Sequence, residues 1–526
     1  MPIFDAKQYL WYANRAQVSP PNLGGPELVE QIPFRPLGKS VFKRCPWSYE
    51  DDDEYCPTKM SEEAMRIGLS KSNRVVPKLD ENLCQKTDRI MEIEMASIWT
   101  ETVDENVLSY DKALGLIKRD KSPGYPFFYR YLNKGETLDQ EGDLIKQDVD
   151  RLLNGEEVPC VFSLTEKSEL RPIEKVRLNK TRVFMASPLH HLLACLMLFQ
   201  VQNDAIINSI GSHPITIGMQ IPGAQFVRFV GAFGNDTNDG DVDGCDLGFH
   251  PRVADFIRRL RSKFLPQRYW KCVAWLYSTV YAGLAAGLGG IYRIYGNKSG
   301  WCNTAHDNSL MVWWYIIYGC CKFYPNLHWT EVIKALINGD DVLIKYKGNF
   351  KEFCDFLAKH GCIIDCENWE KRHCSECVFL SHHVESRWVT GFGDFVLAAG
   401  NLPKLKSSIN WVKSSKILSF EESCVAHLVG LRICMFPWKI EFDRVDQILS
   451  DYLKEIIITP FISSCLSARF NEVELAYLNT RCEANPDVSV PFSHFVSASL
   501  CDYKQVLKCV TSLFKRSYDT NSLSKA

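Results

Sequence analysis

The stretch LINGDDVLIKY, Leu336–Tyr346, narrows the fold more than any other part of the sequence. Two apolar runs flank Asn338-Gly339, a pair that turns a chain tightly between antiparallel strands. Two carboxylates, Asp340 and Asp341, follow at the mouth of the second arm. Adjacent like charges repel, so a purely structural hairpin gains nothing from them. The turn is expected to hold something for them to act on.

The segments around it indicate what covers the hairpin. Leu164–Pro188 is rich in cations and ends in a short apolar strand, RVFMAS. LHHLLACLMLFQVQN then reads as a buried helix. DGDVDGCDLGFHP, residues 239–251, leads into a helix opened by Pro251, with Val253, Phe256, Ile257, Leu260 and Phe264 on one face. IYGNKSGWCNTAHDNSL, Ile294–Leu310, is a glycine-containing loop running into another helix. Behind the hairpin, Phe350, Phe353, Cys354 and Leu357 mark a short helix that Gly361 ends, and CIID reads as a strand. The order predicts an α+β fold, an antiparallel sheet covered by helices. Residues 60–160 and the last 130 read as mainly helical, and KSPGYPFF, Lys121–Phe128, as a rigid extended loop. The first 60 residues are rich in proline and turns, and the acidic run Glu50–Glu54 there reads as a solvated loop.

At 526 residues the chain has room for two or three subdomains. Its 46% apolar and 12% aromatic content excludes a disordered protein. A formal charge of -2 excludes a globally basic surface, so any nucleic-acid channel must be local. The 21 cysteines are scattered and no secretory signal precedes them, which points to free thiols in a reducing compartment. Cys362, Cys366, Cys374 and Cys377, with His373, form the densest group. Cys374-x2-Cys377 has zinc spacing, but the Cys362-x3-Cys366 half lies in an apolar run and reads as buried thiols. Cys272–Gly290 and residues 309–322 are apolar, yet the first is glycine-rich and the second short. Both read as internal segments, with no intrinsic transmembrane span.

Gly-Asp-Asp alone is a weak signal, and partners have to raise it. Asp241 and Asp246 form a second acidic element near a strand-to-helix turn. If that strand adjoins the hairpin, Asp241 faces Asp340 across a short gap. Such carboxylates can hold two Mg²⁺ ions about 4 Å apart. The bland alternative is solvent-facing turn acids. The cations Lys167, Arg171, Lys175, Lys180 and Arg182 answer the acids, because triphosphate chemistry needs positive charge aimed at the phosphoryl oxygens. A solvated basic loop is the competing account. Thr304 and Asn308, one helical turn apart, share a face and with Ser299 can read a sugar hydroxyl. They can equally be helix-start and packing residues.

In this order the motifs resemble those of positive-strand viral RNA-dependent RNA polymerases. SPGYP resembles the template-guiding loop, EKSELRPIEKVRLNKTR the motif that admits nucleotides, and DVDGCD the first palm motif. GNKSGWCNT with Asp307-Asn308 resembles the second, NGDD the third, and CVFLSH the primer grip. The wording of ELRPIEKVRLNKTR, ASPLHH and TAHDNSL looks most like an astrovirus or astro/sobemo-like lineage. The resemblance implies a right-hand fold: mainly fingers over 1–205 with an N-terminal extension, palm over 206–262, a fingers insertion at 263–293, palm and primer grip over 294–388, and a helical thumb over 389–526. It makes Asp241 and Asp340 the principal metal ligands, assisted by Asp341, for two Mg²⁺ ions that Mn²⁺ can replace. Lys167, Arg171, Lys175, Lys180 and Arg182 would bind the triphosphate, and Asp246, Ser299, Thr304 and Asn308 would sense the ribose. Ser122, Gly124, Tyr125, Pro126, Gly300, Phe379, Leu380 and His382 would contact template and primer. Lys371 and Arg372 are candidates for the general acid. The implied partners are an RNA template and primer, NTPs, a protein primer and other viral replication proteins, at membrane-associated complexes in the host cytoplasm. The rivals are a reverse transcriptase, a metal-dependent nuclease or other phosphotransferase, and a catalytically inactive RNA-binding scaffold. Two places depart from the family pattern. Asn338 stands where many relatives carry tyrosine or another apolar residue, and NDTNDGD, residues 235–241, is unusually polar for a lead-in strand.

Overall fold

The computed structural model describes residues 22–466, apart from short internal stretches of which 35–39, 49–53 and 100–105 are the longest. Most of the acidic run Glu50–Glu54, and the part of the expected thumb from residue 467 onward, lie outside the described residues.

Nine strands and four helices position the site. They are β1 (Glu27–Gln31), β2 (Val161–Glu166), β3 (Val183–Ala186), α1 (Leu189–Asn208), β4 (Thr237–Val242), α2 (Pro251–Lys263), α3 (Trp270–Tyr281), β5 (Leu284–Gly287), β6 (Gly290–Arg293), α4 (Thr304–Phe323), β7 (Ile333–Asn338), β8 (Asp341–Tyr346) and β9 (Ile364–Asp365). One sheet has the order β1-β6-β5-β2-β3, the other β7-β8-β4-β9. Strands far apart in sequence thus become neighbours, and β4 lies between the hairpin and β9.

Local chemistry sets these elements. Pro251 opens α2, and His250 caps it by accepting a bond from the Arg252 amide at 3.1 Å. Val253, Phe256, Ile257 and Leu260 bury its apolar stripe as the spacing predicts. Every residue of α4 from His306 to Cys321 is buried, so this helix is the spine of the larger core. The apolar run 309–322 belongs to it. The run Cys272–Gly290 breaks after Tyr281, and its second half becomes β5. Among the described residues no helix is long and apolar enough to cross a membrane.

The hairpin forms, with its turn one residue later than the Asn-Gly signal suggests. Asn338 pairs with Asp341, which leaves Gly339 and Asp340 as the two central residues. Gly339 has φ +66°, a conformation that glycine adopts without strain at the first central position. Its amide donates to the Ser309 hydroxyl of α4 at 2.8 Å. Asn338 Nδ2 donates to Thr216 Oγ1 at 3.3 Å, and the Thr216 amide bonds the Ile337 carbonyl at 2.8 Å. A polar residue at 338 therefore ties the turn to a neighbouring loop.

The polar lead-in 235–241 also acquires a reason. Thr237 and Asn238 are buried, and Asn238 Nδ2 donates to the Glu370 carbonyl at 3.0 Å. Asp239 pairs with Arg372 and accepts from the Val378 amide at 2.9 Å. The strand spends its polar side chains on fastening the loop 369–378. Gly240 admits β9, since a Cβ there would stand 2.8 Å from the Asp365 carbonyl oxygen.

A second core gathers Val412, Val425, Leu428, Phe442, Val445 and Leu449 with Cys45 from the N-terminal region. The strand Trp411–Lys413 pairs with Phe42–Arg44, and Tyr55–Pro57 pairs with Leu170–Pro172. The N-terminal segment thus joins this C-terminal unit to the basic run.

Candidate active site

The sheet register brings the acids together. Asp341 lies opposite Asp241, and Asp365 opposite Asp241 on its other side. Directly paired residues present their side chains on one face of a sheet. The sequence reading expected Asp241 to face Asp340. The structure pairs it with Asp341 instead, because Asp340 occupies the turn. The Asp340 carbonyl accepts the Val242 amide at 2.8 Å, which pins the turn to the end of β4. The Asp241 and Asp341 carboxyls stand side by side and act on one another. Burial raises both above the ordinary carboxylate range; the charges of Asp340 and Asp365 add to the effect at Asp241, and those of Asp241 and Asp340 at Asp341. A cation bound between the two acids would relieve this repulsion.

Among the described residues no three Asp, Glu, His or Cys side chains stand in metal-holding geometry. The donor set itself is hard, oxygen-only and partly withdrawn from water, which fits Mg²⁺ or Mn²⁺ and does not fit a soft metal.

Across from the acids, Glu169 gathers the cations. Lys167 Nζ lies 3.3 Å from its carboxylate, Arg182 3.8 Å and Arg171 4.0 Å. Thr58 holds this turn: its hydroxyl donates to the Lys167 carbonyl at 2.9 Å and its amide to the Glu169 carbonyl at 3.0 Å. The positive charge of Arg182 acts on Asp241, Asp246 and Asp341, lowering each. Arg171 is turned back onto the Lys180 carbonyl at 2.8 Å, and Lys175 and Lys180 are exposed. Of these cations, Arg182 acts on all three carboxyls and Lys167 on Asp246.

Asp246 and Asn308 also meet. Asn308 Nδ2 donates to Asp246 Oδ1 at 2.5 Å, and burial lifts the Asp246 carboxyl to about 6. Asn297, which the sequence reading passed over, completes the pair. Its Nδ2 donates to Asn308 Oδ1 at 2.8 Å and its amide to the Asp246 carbonyl at 2.7 Å. The Thr304 hydroxyl stands 3.0 Å from the carbonyls of both Lys298 and Trp301, so it pins the loop. Ser299 lies half-buried on that loop.

Residues 39–429 match the family described as viral RNA-dependent RNA polymerase. The chain belongs to that family. A genome polyprotein of Zucchini yellow mosaic virus (strain Reunion Island) is 26% identical over 402 residues, which is 72% of this chain and 12% of the polyprotein. That of Soybean mosaic virus (strain N) is 27% identical over 441 residues, 77% of this chain and 13% of the polyprotein. The chain thus spans about an eighth of the length of these relatives. The solved Sicinivirus 3Dpol RNA-dependent RNA polymerase superposes with a TM-score of 0.69 at 16% identity, covering 86% of this chain and 99% of that one. The fold is therefore the right-hand α+β fold of such polymerases. These relatives overturn the astro/sobemo-like assignment and place the chain in the potyvirus/picorna-like lineage. The astro/sobemo-like reading rests on short wording around ordered motifs, and the order of those motifs is a property of the whole family.

The remaining motif residues of this polymerase-family chain fall as follows. In the expected template loop Tyr125 is buried and its amide donates to Ser163 Oγ at 2.6 Å, Gly124 has φ +80°, and Ser122 and Pro126 are exposed. Phe127 and Phe128 are not part of an extended loop, because Phe127–Tyr129 forms a helical turn. Phe379 and His382 close a tight turn with reciprocal backbone bonds of 2.8 and 2.9 Å, and Leu380 is one of its two central residues, with φ +54°. Gly300 lies against β3 and bridges to Ala186. Lys371 Nζ donates to the Tyr346 carbonyl at 3.0 Å, at the far end of β8 and roughly 17 Å along the strand from Asp341. Arg372 is spent on Asp239 and the Glu376 carbonyl. Neither head group is directed at the acids. The thiols of the cysteine group bond separate carbonyls, Cys366 to Asn368, Cys374 to Gly231 and Cys377 to Thr237.

Proposed function

We propose that this chain carries out template-directed RNA synthesis, joining ribonucleoside monophosphates from NTPs to a primer 3'-hydroxyl on an RNA template. The observation that carries the reading is the register of β4 against β8. It sets Asp241 beside Asp341 at the turn of Asp340, with Asp246, five residues beyond Asp241, held by Asn308. Asp241, Asp340 and Asp341 would hold two Mg²⁺ ions, which when bound supply Lewis-acid charge to the attacking and leaving oxygens. Lys167 and Arg182 meet the charge of the triphosphate, and Glu169 keeps them together until a stronger anion arrives. Base pairing selects the nucleotide, so the protein grips RNA by backbone and shape. A near-neutral chain with cations gathered at one place suits that division of labour.

In this reading the five-stranded sheet and the basic run belong to the fingers, the four-stranded sheet to the palm, and the second core to the thumb. The proposed boundaries remain 205/206, 262/263, 293/294 and 388/389. A protein-linked primer, other viral replication proteins and membrane-associated complexes in the host cytoplasm complete the setting.

The Asp246–Asn308 pair favours ribonucleotides over deoxyribonucleotides and so weighs against a reverse transcriptase. Asp246→Ala is expected to narrow the ribo-over-deoxy preference by about 1–3 kcal/mol, the worth of one well-placed hydrogen bond. Single-nucleotide extension with each sugar measures it, and an unchanged ratio counts against this role. The function as a whole is tested by primer extension on an RNA template with Mg²⁺, comparing NTPs with dNTPs. RNA degradation in place of extension would favour the nuclease reading.

A further inference from the structure

Arg261 lies on the apolar stripe of α2, four residues beyond Ile257, and is fully buried. Its partner Asp307 is also fully buried, with Arg261 Nε donating to Asp307 Oδ1 at 2.9 Å. The other guanidinium nitrogens donate to Gln202 Oε1 at 3.0 Å and Asn203 Oδ1 at 3.1 Å, both on α1. Asn203 Nδ2 in turn donates to Asn303 Oδ1 at 2.9 Å, at the start of α4. The second Asp307 oxygen accepts from the hydroxyls of Tyr277 at 2.8 Å and Tyr281 at 3.3 Å, both on α3. Trp99 and Phe199 cover the guanidinium, with ring centroids at 5.3 and 5.5 Å.

Such a pair is not explained by stability, because an apolar cluster of similar volume would serve the core as well. Its placement suggests another purpose. The segment bearing Asp246 runs directly into α2, and Asn308 follows Asp307 on α4. The ion pair is a strut between the two elements that carry the two halves of the sugar-recognition pair. With Asn303 and Asp307 both fastened, the first turn of α4 can neither rotate nor slide, and Asn308 stays aimed at Asp246. Directional bonds hold a register that apolar contacts alone leave adjustable.

We propose that the Arg261–Asp307–Tyr277 network positions the Asp246–Asn308 pair for ribose recognition without itself touching the nucleotide. This rests on the sugar-sensing role proposed above. Tyr277→Phe removes one donor and keeps the ion pair, and Asp307→Asn keeps the shape and removes the charge. The experiment compares kcat/KM for CTP and dCTP in single-nucleotide extension for the parent, both variants and Asp246→Ala, with thermal midpoints measured in parallel. The ribo-to-deoxy ratio is expected to fall about fivefold to tenfold in both network variants, the scale of one displaced hydrogen bond, with the loss confined to CTP. If both sugars fall together at a constant ratio, the network is only structural and the proposal is overturned. If Asp307→Asn does not fold, Tyr277→Phe decides alone. An unchanged ratio in Asp246→Ala would overturn the sugar-sensing role itself. A shifted ratio there with none in Tyr277→Phe would overturn only the positioning.

Discussion

Asp340→Asn is expected to lower nucleotide addition by about a thousandfold or more, the scale seen when charge stabilisation at a reacting phosphate is removed. The fold should survive. Asp340 is exposed at the turn, and its structural bond to Val242 is made by its backbone carbonyl, which asparagine keeps. A change of this kind at an exposed turn shifts stability by about 0.5 kcal/mol or less. RNA affinity should be nearly unchanged as well, because it rests mainly on cations and backbone contacts. Rapid-quench measurement of one incorporation step, beside a melting curve and an RNA-binding titration, separates the three quantities. A folded variant that elongates at the parental rate would remove Asp340 from the chemistry.

Gly300→Ala is expected to cost about a hundredfold in incorporation, as a misplacement of about 1 Å near reacting groups can do. A Cβ at Gly300 would stand 2.3 Å from the Met185 carbonyl oxygen and 2.8 Å from the Ala186 Cα. Both are backbone atoms of β3, so no flexible side chain can yield. Either the loop Asn297–Asn303 lifts from β3 or β3 moves. The first change disturbs Asn297 and through it Asn308, at 2.8 Å. The second disturbs the backbone bond from the Lys167 amide to the Arg182 carbonyl, at 2.8 Å, and with it both cations. Steady-state kinetics with NTPs, with circular dichroism to check folding, tests this. A well-folded variant with parental kcat and KM would show that the close approach does not matter.

Much of the site could be read in the sequence because its parts are local signals. The apolar arms of the hairpin, the proline that opens α2 and the paired acids each declare themselves within about ten residues. What the sequence left open depends on register and on contacts between distant segments. The pairing of Asp241 with Asp341 in place of Asp340 follows from a turn displaced by one residue, and an Asn-Gly signal does not decide that. Asn297 was overlooked because an amide in a glycine-containing loop looks like ordinary turn chemistry. Arg261 did leave a trace, a charge on the buried stripe of an amphipathic helix, but its partner lies on another helix 46 residues away. Thr58 and Glu169 act through contacts that bring residue 58 against residue 167, which periodicity cannot show. The family motif already favours Lys167 and Arg182 over Lys175 and Lys180; folding adds that Arg171 bonds the Lys180 carbonyl. Lineage was misread because motif order identifies the family more firmly than any branch within it.

In the proposed function, the carboxylates of the hairpin and β4 add ribonucleotides under the direction of an RNA template. The most direct measurement is extension of a labelled primer on an RNA template of defined sequence, using purified protein, Mg²⁺ and the four NTPs, followed by sequencing of the product. The expected product is complementary to the template, made by the parent and absent with Asp340→Asn. Equal extension by that variant, or a product from the parent that ignores the template sequence, would contradict it.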